Sequence, residues 1–255
     1  MKKRYIIIFI CIIAYGLAMY YFIGKDNIRR EKFYSTILVD NNAVWQYRKK
    51  KWVNINHYSD LQKLNWEKFK IYSKEKENVK NYYIWLDDRW YFFNEKKEAL
   101  QFSGEFIGVS SNYDMHISFP HEMKIENDTY VNQVLKENGL EERDFTVENT
   151  FSFDIDHDNI EENFYIISNA FTDLPVENIF SIVFMEKDEF IYPIYTDIDQ
   201  NRGFNGCRPY VSAMLDIEDD GIYELILSCG EYSVDKIQTM LYQYKNGKFS
   251  VIISN

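Results

Sequence analysis

Two acidic nonapeptides constrain this chain more than any other feature. They read Asp154-Ile155-Asp156-His157-Asp158-Asn159-Ile160-Glu161-Glu162 and Asp216-Ile217-Glu218-Asp219-Asp220-Gly221-Ile222-Tyr223-Glu224. Counted from the first Asp, both carry carboxylates at positions 1, 3, 5 and 9. Position 6 is Asn159 in one and Gly221 in the other, residue types that tolerate a left-handed backbone. An apolar run with strand character follows each, NFYIIS after the first and LILS after the second. Each nonapeptide therefore reads as a tight turn between strands. The chain must twice deliver four carboxylates into such a turn without their repulsion opening it.

Alternating carboxylates in a tight turn converge on one centre, and a hard cation with six to eight oxygen ligands fits there. Calcium suits the pattern better than magnesium, which accepts fewer protein ligands and a stricter geometry. The spacing is not that of an EF-hand, which closes on a bidentate Glu at position 12. Position 12 here is Tyr165 or Leu227, each inside an apolar strand. Closure at position 9 resembles the calcium loops of FG-GAP and VCBS repeats, found in integrin-α-type β-propellers. The resemblance implies side-chain ligands at positions 1, 3, 5 and 9 and a backbone carbonyl at position 7. For the first loop these are Asp154, Asp156, Asp158, Glu162 and the carbonyl of Ile160. For the second they are Asp216, Glu218, Asp220, Glu224 and the carbonyl of Ile222. Asn159 stands where the family has Gly, and Glu218 where it has a shorter Asp or Asn. The resemblance covers the loops and the strands after them, and extends over 145–255 as two blade-like units.

The N-terminus carries the localisation signal. Lys2-Lys3-Arg4 precedes 20 residues without a formal charge, Tyr5 to Gly24. At 1.5 Å per residue this is about 30 Å of helix, the thickness of a bilayer core. Aromatic residues occupy the end of the segment, where a cleaved signal peptide needs small ones. Residues 1–24 are thus expected to be an uncleaved transmembrane anchor and 25–35 a charged stalk. The rest of the chain is expected to lie outside the cytoplasm. That layout, an anchor before a β-rich domain ending in a D-x-D-x-D-G-x-x-E loop, is similar to membrane-anchored proteins of low-GC bacteria.

Charge divides the chain. Residues 1–100 hold 20 Lys/Arg against 11 Asp/Glu, and residues 101–255 hold 9 against 29. The acidic part repels nucleic acid, whose binding needs cationic side chains. With 21 Tyr, 19 Phe and 5 Trp but only 4 Pro, disorder is excluded for most of the chain. Apolar runs are short and rich in Ile, Val, Tyr, Phe and Trp. The expected class is mainly β, antiparallel hairpins in a propeller-like or sandwich-like arrangement with one or two short helices. Four segments share one hairpin layout: Tyr47-RKKK-Trp52, Trp85-LDDR-Trp90, Met185-EKDE-Phe190 and Tyr244-KNGK-Phe249. Helices are expected over 128–139, capped by Asp128 and ended by Gly139, and more weakly over 59–70. The charge change and the 128–139 helix suggest a 36–125 β-rich region and a 126–255 region holding both acidic loops.

Cys207 and Cys229 flank the second loop and are expected to form a disulfide. Pairing Leu215 with Leu225 sets Cys229 opposite Val211, so closure requires a bulge or a turn at Pro209. No nucleophile elbow, zinc-helix, P-loop or dinucleotide motif is present. His116 and His121 lack helical ligand spacing, and His157 at position 4 points away from a cation in its loop. The expected function is a non-enzymatic binding or scaffolding module of the cell envelope with a protein or glycan partner. An inhibitor or immunity-like partner, and an envelope glycan hydrolase, are the alternatives.

Overall fold

The computed structural model describes residues 36–255 except 75, 88, 101–104, 111–114, 122, 124–128, 142–144, 171–178, 200–206 and 232–236. The expected anchor and stalk lie outside these residues. Among the described residues, no helix is long and apolar enough to cross a membrane.

The protein is mainly β, and its described residues form three open antiparallel sheets. The first contains β1 (Thr36–Val39), β2 (Ala43–Arg48), β3 (Lys51–Asn54), β4 (Lys68–Ser73), β5 (Lys76–Leu86), β6 (Trp90–Phe93), β7 (Ala99–Leu100) and β8 (Phe106–Ser110). Its order is β3-β2-β1-β8-β4-β5-β6-β7. After the short β9 (His116–Ser118), the chain forms a four-stranded meander. Its strands are β10 (Thr146–Phe153), β11 (Glu162–Ser168), β12 (Ile179–Lys187) and β13 (Phe190–Asp199). A second meander follows: β14 (Cys207–Asp216), β15 (Glu224–Glu231), β16 (Ile237–Tyr244) and β17 (Phe249–Ser254). β9 adds to its β14 edge. Each meander has the same plan: strand, acidic loop, strand, connection, strand, tight hairpin, strand.

The hairpin signals in the sequence mark real turns. Tyr47 pairs with Trp52, Trp85 with Tyr91, Lys187 with Phe190 and Tyr244 with Phe249. Three of the turns place two consecutive residues at positive φ: Lys49–Lys50, Asp188–Glu189 and Asn246–Gly247. That is the two-residue turn whose twist matches the strands it joins.

The central sheet is buried on both faces. From it, Met214, Leu225, Leu227, Met240 and Tyr242 pack against Phe151, Phe164, Ile166, Val183 and Met185 of the first meander. Its opposite face sends Ala213, Leu215, Ile226 and Leu241 against Ile37, Val39, Trp45, Ile107 and Val109 of the eight-stranded sheet. The first meander is covered in turn by a helix. Val131, Val134, Leu135 and Leu140 pack on Tyr165, Ile167, Phe180, Ile182 and Phe184. Strands covered on both faces read as continuous apolar runs rather than alternating ones, as in FYII and LIL. Full burial of each such side chain contributes roughly 1.5–3 kcal/mol.

The helices are shorter than the sequence suggests. The stretch expected helical over 59–70 yields only α1 (Tyr58–Leu61) and one 3-10 turn, Gln62–Leu64. Asn65 then accepts a hydrogen bond from the Leu86 amide at 2.7 Å, and the Trp66 amide donates to Ile84 at 2.7 Å. Lys68–Ser73 pairs with β5 and β8 instead, so sheet hydrogen bonds override a weak apolar stripe. The other helix, α2 (Thr129–Glu137), falls inside the expected 128–139. Gly139 at φ 67° ends it, with the Leu140 amide donating back to Leu135 at 2.8 Å. Asp128, the expected cap, lies outside the described residues.

The register around the cysteines differs from the flat ladder drawn from sequence. Leu215 pairs with Glu224, not Leu225, and a bulge between Val211 and Ala213 shifts the pairing once more. Cys229 therefore stands opposite Pro209, two residues from Cys207. The structure joins Cys207 and Cys229 as a cystine, with Cα atoms 5.4 Å apart. The bulge also turns Ala213 and Leu215 toward the eight-stranded sheet, while Val211 faces the first meander.

Gly108 lies where β8 passes between β1 and β4. A Cβ there would meet Ile71 Cδ1 at 3.0 Å and Leu38 Cδ1 at 3.1 Å. Gly108→Ala is expected to destabilise the full-length chain by about 1–3 kcal/mol, the usual cost of overpacking. Equilibrium denaturation measures it, and an unchanged midpoint contradicts the packing described.

Candidate cation loops

The two acidic loops have one hydrogen-bond plan. In the first, Asp154 accepts from the amides of Asp158 and Asn159 at 3.1 and 3.0 Å. In the second, Asp216 accepts from Asp220 and Gly221, both at 3.1 Å. The position-5 carboxylate then accepts from the position-7 amide: Asp158 from Ile160 at 2.8 Å, Asp220 from Ile222 at 3.0 Å. The position-9 carboxylate reaches back to position 2: Glu162 accepts from Ile155 at 2.9 Å, Glu224 from Ile217 at 3.1 Å. Positions 4 and 6 have positive φ in both, at His157 and Asn159 and at Asp219 and Gly221. The shared offsets thus fold into one backbone shape, anchored by side-chain acceptors on loop amides.

The loops also touch. The Tyr223 amide donates to the Ile155 carbonyl at 2.9 Å. His157 Nδ1 lies 3.0 Å from the Gly221 carbonyl, which accepts a hydrogen bond from the ring N–H. The His157 ring stacks on Tyr223 with centroids 5.3 Å apart, and Phe153 meets Tyr223 edge-on at 4.9 Å. His157 turns away from its own loop's centre, and its partner is the other loop.

What fills each centre differs. In the first loop, Lys187 Nζ donates to Asp156 at 2.8 and 2.9 Å, to Asp158 at 3.1 Å and to Glu162 at 2.6 Å. Its side chain is 12% exposed and that of Glu162 is 0% exposed. Asp154, Asp156 and Glu162 offer oxygens within 4.8 Å of one another. Lys187 arrives by strand register: Asn163 pairs with Glu186, so the next residue of β12 stands beside Glu162. Burial alone would lower the Lys187 ammonium, but hydrogen bonds to Asp156, Glu162 and Asp158 raise it above its ordinary value. Burial pushes the Glu162 carboxyl up, against the Ile155 amide and the Lys187 ammonium, which pull it down.

In the second loop the equivalent place is held by Gln243. Leu225 pairs with Tyr242, which sets Gln243 beside Glu224. The Gln243 amide donates to Glu224 at 3.4 Å, a long contact to a side chain 2% exposed. Burial, with Glu218 adding to it, pushes the Glu224 carboxyl up to about 7, against the Ile217 and Gln243 donors. Asp216 is also buried. The first-loop residues do not fit calcium while Lys187 is in place, because its ammonium takes the oxygens the metal needs. The second loop has carboxylates at the same four positions, and its buried Glu224 faces a neutral amide; among the described residues, only Asp154, Asp156 and Glu162 of the first loop gather closely enough to hold a metal ion. Of the position-7 residues, Ile160 is exposed and Ile222 half-buried.

Lys187 and Gln243 are the site residues that sequence reasoning missed. Lys187 lies within the Met185–Phe190 hairpin segment, and Gln243 lies one residue before the Tyr244–Phe249 segment. Compared with known proteins, the chain matches no family model, no curated protein and no solved structure.

The Glu224 value sets a pH dependence for metal-free protein. A carboxyl raised from 4.5 to about 7 on folding contributes stability fully below about 4.5. That contribution is lost as pH rises through about 7. Glu224→Gln keeps an oxygen for the Ile217 amide and buries no charge. In chelator at pH 8 it is expected to stabilise the chain by roughly 3 kcal/mol, one pKa unit being about 1.4 kcal/mol. Thermal unfolding at pH 5 and pH 8 reads the difference; equal shifts at both would contradict it.

Proposed function

We propose that this protein is a membrane-anchored, extracytoplasmic binding or scaffolding module whose acidic loops are rigidified by cations, calcium in the second. The observation that supports this most is the pair of identically hydrogen-bonded loops, side by side on two consecutive meanders. Each loop joins the first two strands of one meander and the two meanders pack face to face, in keeping with the resemblance to the blade-like units of FG-GAP and VCBS repeats. The cystine supports an oxidising compartment. The anchor reading rests on the 20 uncharged residues from Tyr5 to Gly24.

A binding role is supported by two surface features. Trp66 is 46% exposed and tilts against Trp85 at 5.4 Å and Phe93 at 5.2 Å, with Lys97 over its ring. Such an aromatic platform suits a sugar ring. A cavity of about 290 Å³ between Tyr47, Trp52 and Met115 opens onto Ile217 and Glu218 of the second loop. A ligand held there would feel the charge state of that loop.

The test is metal-linked stability of the full-length chain in mild detergent. A ligand at 100 times its dissociation constant stabilises by about 2.7 kcal/mol. The melting temperature is expected to be higher in millimolar calcium than in chelator, and Asp216→Ala is expected to remove the difference. Equal melting temperatures for the wild-type chain in calcium and chelator would reject the calcium reading.

A further inference from the structure

We infer that the first acidic loop carries its own cation, the Lys187 ammonium, and that this replaces a metal ion there. Three carboxylates of one loop converge on a single nitrogen that is largely out of water. The ammonium donates to positions 3, 5 and 9, which are three of the four side chains expected to ligate calcium. Position 1, Asp154, is engaged with the Asp158 and Asn159 amides, so it shapes the turn. A lysine has three donors, and here each finds a different carboxylate. The tether is a strand end, not a flexible loop. Lys187 closes β12, next to the mirror-image turn at Asp188–Glu189, and the register fixes it opposite Glu162.

The second loop makes this a contrast rather than a coincidence of packing. Both loops have the same acceptor pattern and a position-9 glutamate buried at the start of a strand. Gln243 occupies the equivalent point of the neighbouring strand and brings no charge. Among the described residues, only the first loop gathers three carboxylate groups within 4.8 Å. Like charges gather where a cation holds them, and in the first loop that cation is covalently part of the chain. One loop is thus set permanently, and the other depends on what the surroundings supply. The backbone hydrogen bond from Tyr223 to Ile155, with the His157 contact to Gly221, lets the preset loop brace its neighbour.

Exchange of the two residues tests the inference, in full-length protein in mild detergent. The first arm uses chelator and does not depend on any metal. Lys187→Gln is expected to lower the melting temperature by roughly 5 °C or more, because it leaves buried carboxylates unanswered. Gln243→Lys is expected to raise it. An unchanged melting temperature for Lys187→Gln in chelator overturns the inference. The second arm is calcium titration by calorimetry and rests on the calcium reading of the second loop. The wild-type chain is expected to bind one calcium, Lys187→Gln two, and Gln243→Lys none. Two calcium ions on the wild-type chain overturn the role of Lys187 while leaving the calcium reading intact. No calcium on any variant, with the chelator arm as expected, rejects the calcium reading and leaves Lys187 as the resident cation.

Discussion

A carboxylate taken out of water must be answered by a cation, by hydrogen bonds or by a proton. Glu162 and Glu224 impose that demand at the first residues of β11 and β15, each nearly inaccessible to solvent. Both must be there, because each ties the end of its loop back to the amide at position 2. Remove the carboxylate and the turn loses its closing bond; leave it unanswered and the turn is charged inside a protein. The two meanders answer differently. One sends a lysine from the adjacent strand, and the other sends a glutamine and holds its carboxyl near neutrality in the absence of a cation.

The sheets explain why such loops sit at fixed places. Each loop joins the first two strands of a meander whose inner face is buried against the other meander. The strands cannot slip, because a one-residue shift would turn Phe164, Ile166, Leu225 and Leu227 out of the shared core. Register is therefore rigid, and register decides what faces position 9. The same rigidity holds the loops against each other through Tyr223, Ile155 and His157. Charge chemistry at the loop ends is thereby a consequence of apolar packing between the sheets.

Much of this was legible in sequence, for identifiable reasons. Carboxylates at positions 1, 3, 5 and 9 with Asn159 or Gly221 at position 6 specify a turn locally, and the loops are local. The hairpins at residues 47–52, 85–90, 185–190 and 244–249 were readable because a large apolar residue, four mostly polar residues and an aromatic follow one another in each. The stretch over 59–70 misled because its leucines serve a short turn, while Asn65 and Trp66 are committed to β5. The Cys229 register needed two one-residue shifts, and neither leaves a mark on composition. Lys187 was hidden for a similar reason. It lies 25 residues beyond Glu162, and only a count of paired positions across β11 and β12 brings the two together. The contact between the loops was equally silent, since His157 and Gly221 are 64 residues apart.

The two proposals together give neighbouring loops of one shape cations of different origin. Anomalous diffraction from crystals of the full-length chain grown in calcium tests this most directly, since it locates the metal without relying on stability. One calcium peak is expected, at the second loop, with Asp216, Glu218, Asp220 and Glu224 around it at about 2.3–2.6 Å. Lys187 Nζ would remain among Asp156, Asp158 and Glu162. A calcium peak inside the first loop, with Lys187 swung out to solvent, would contradict it.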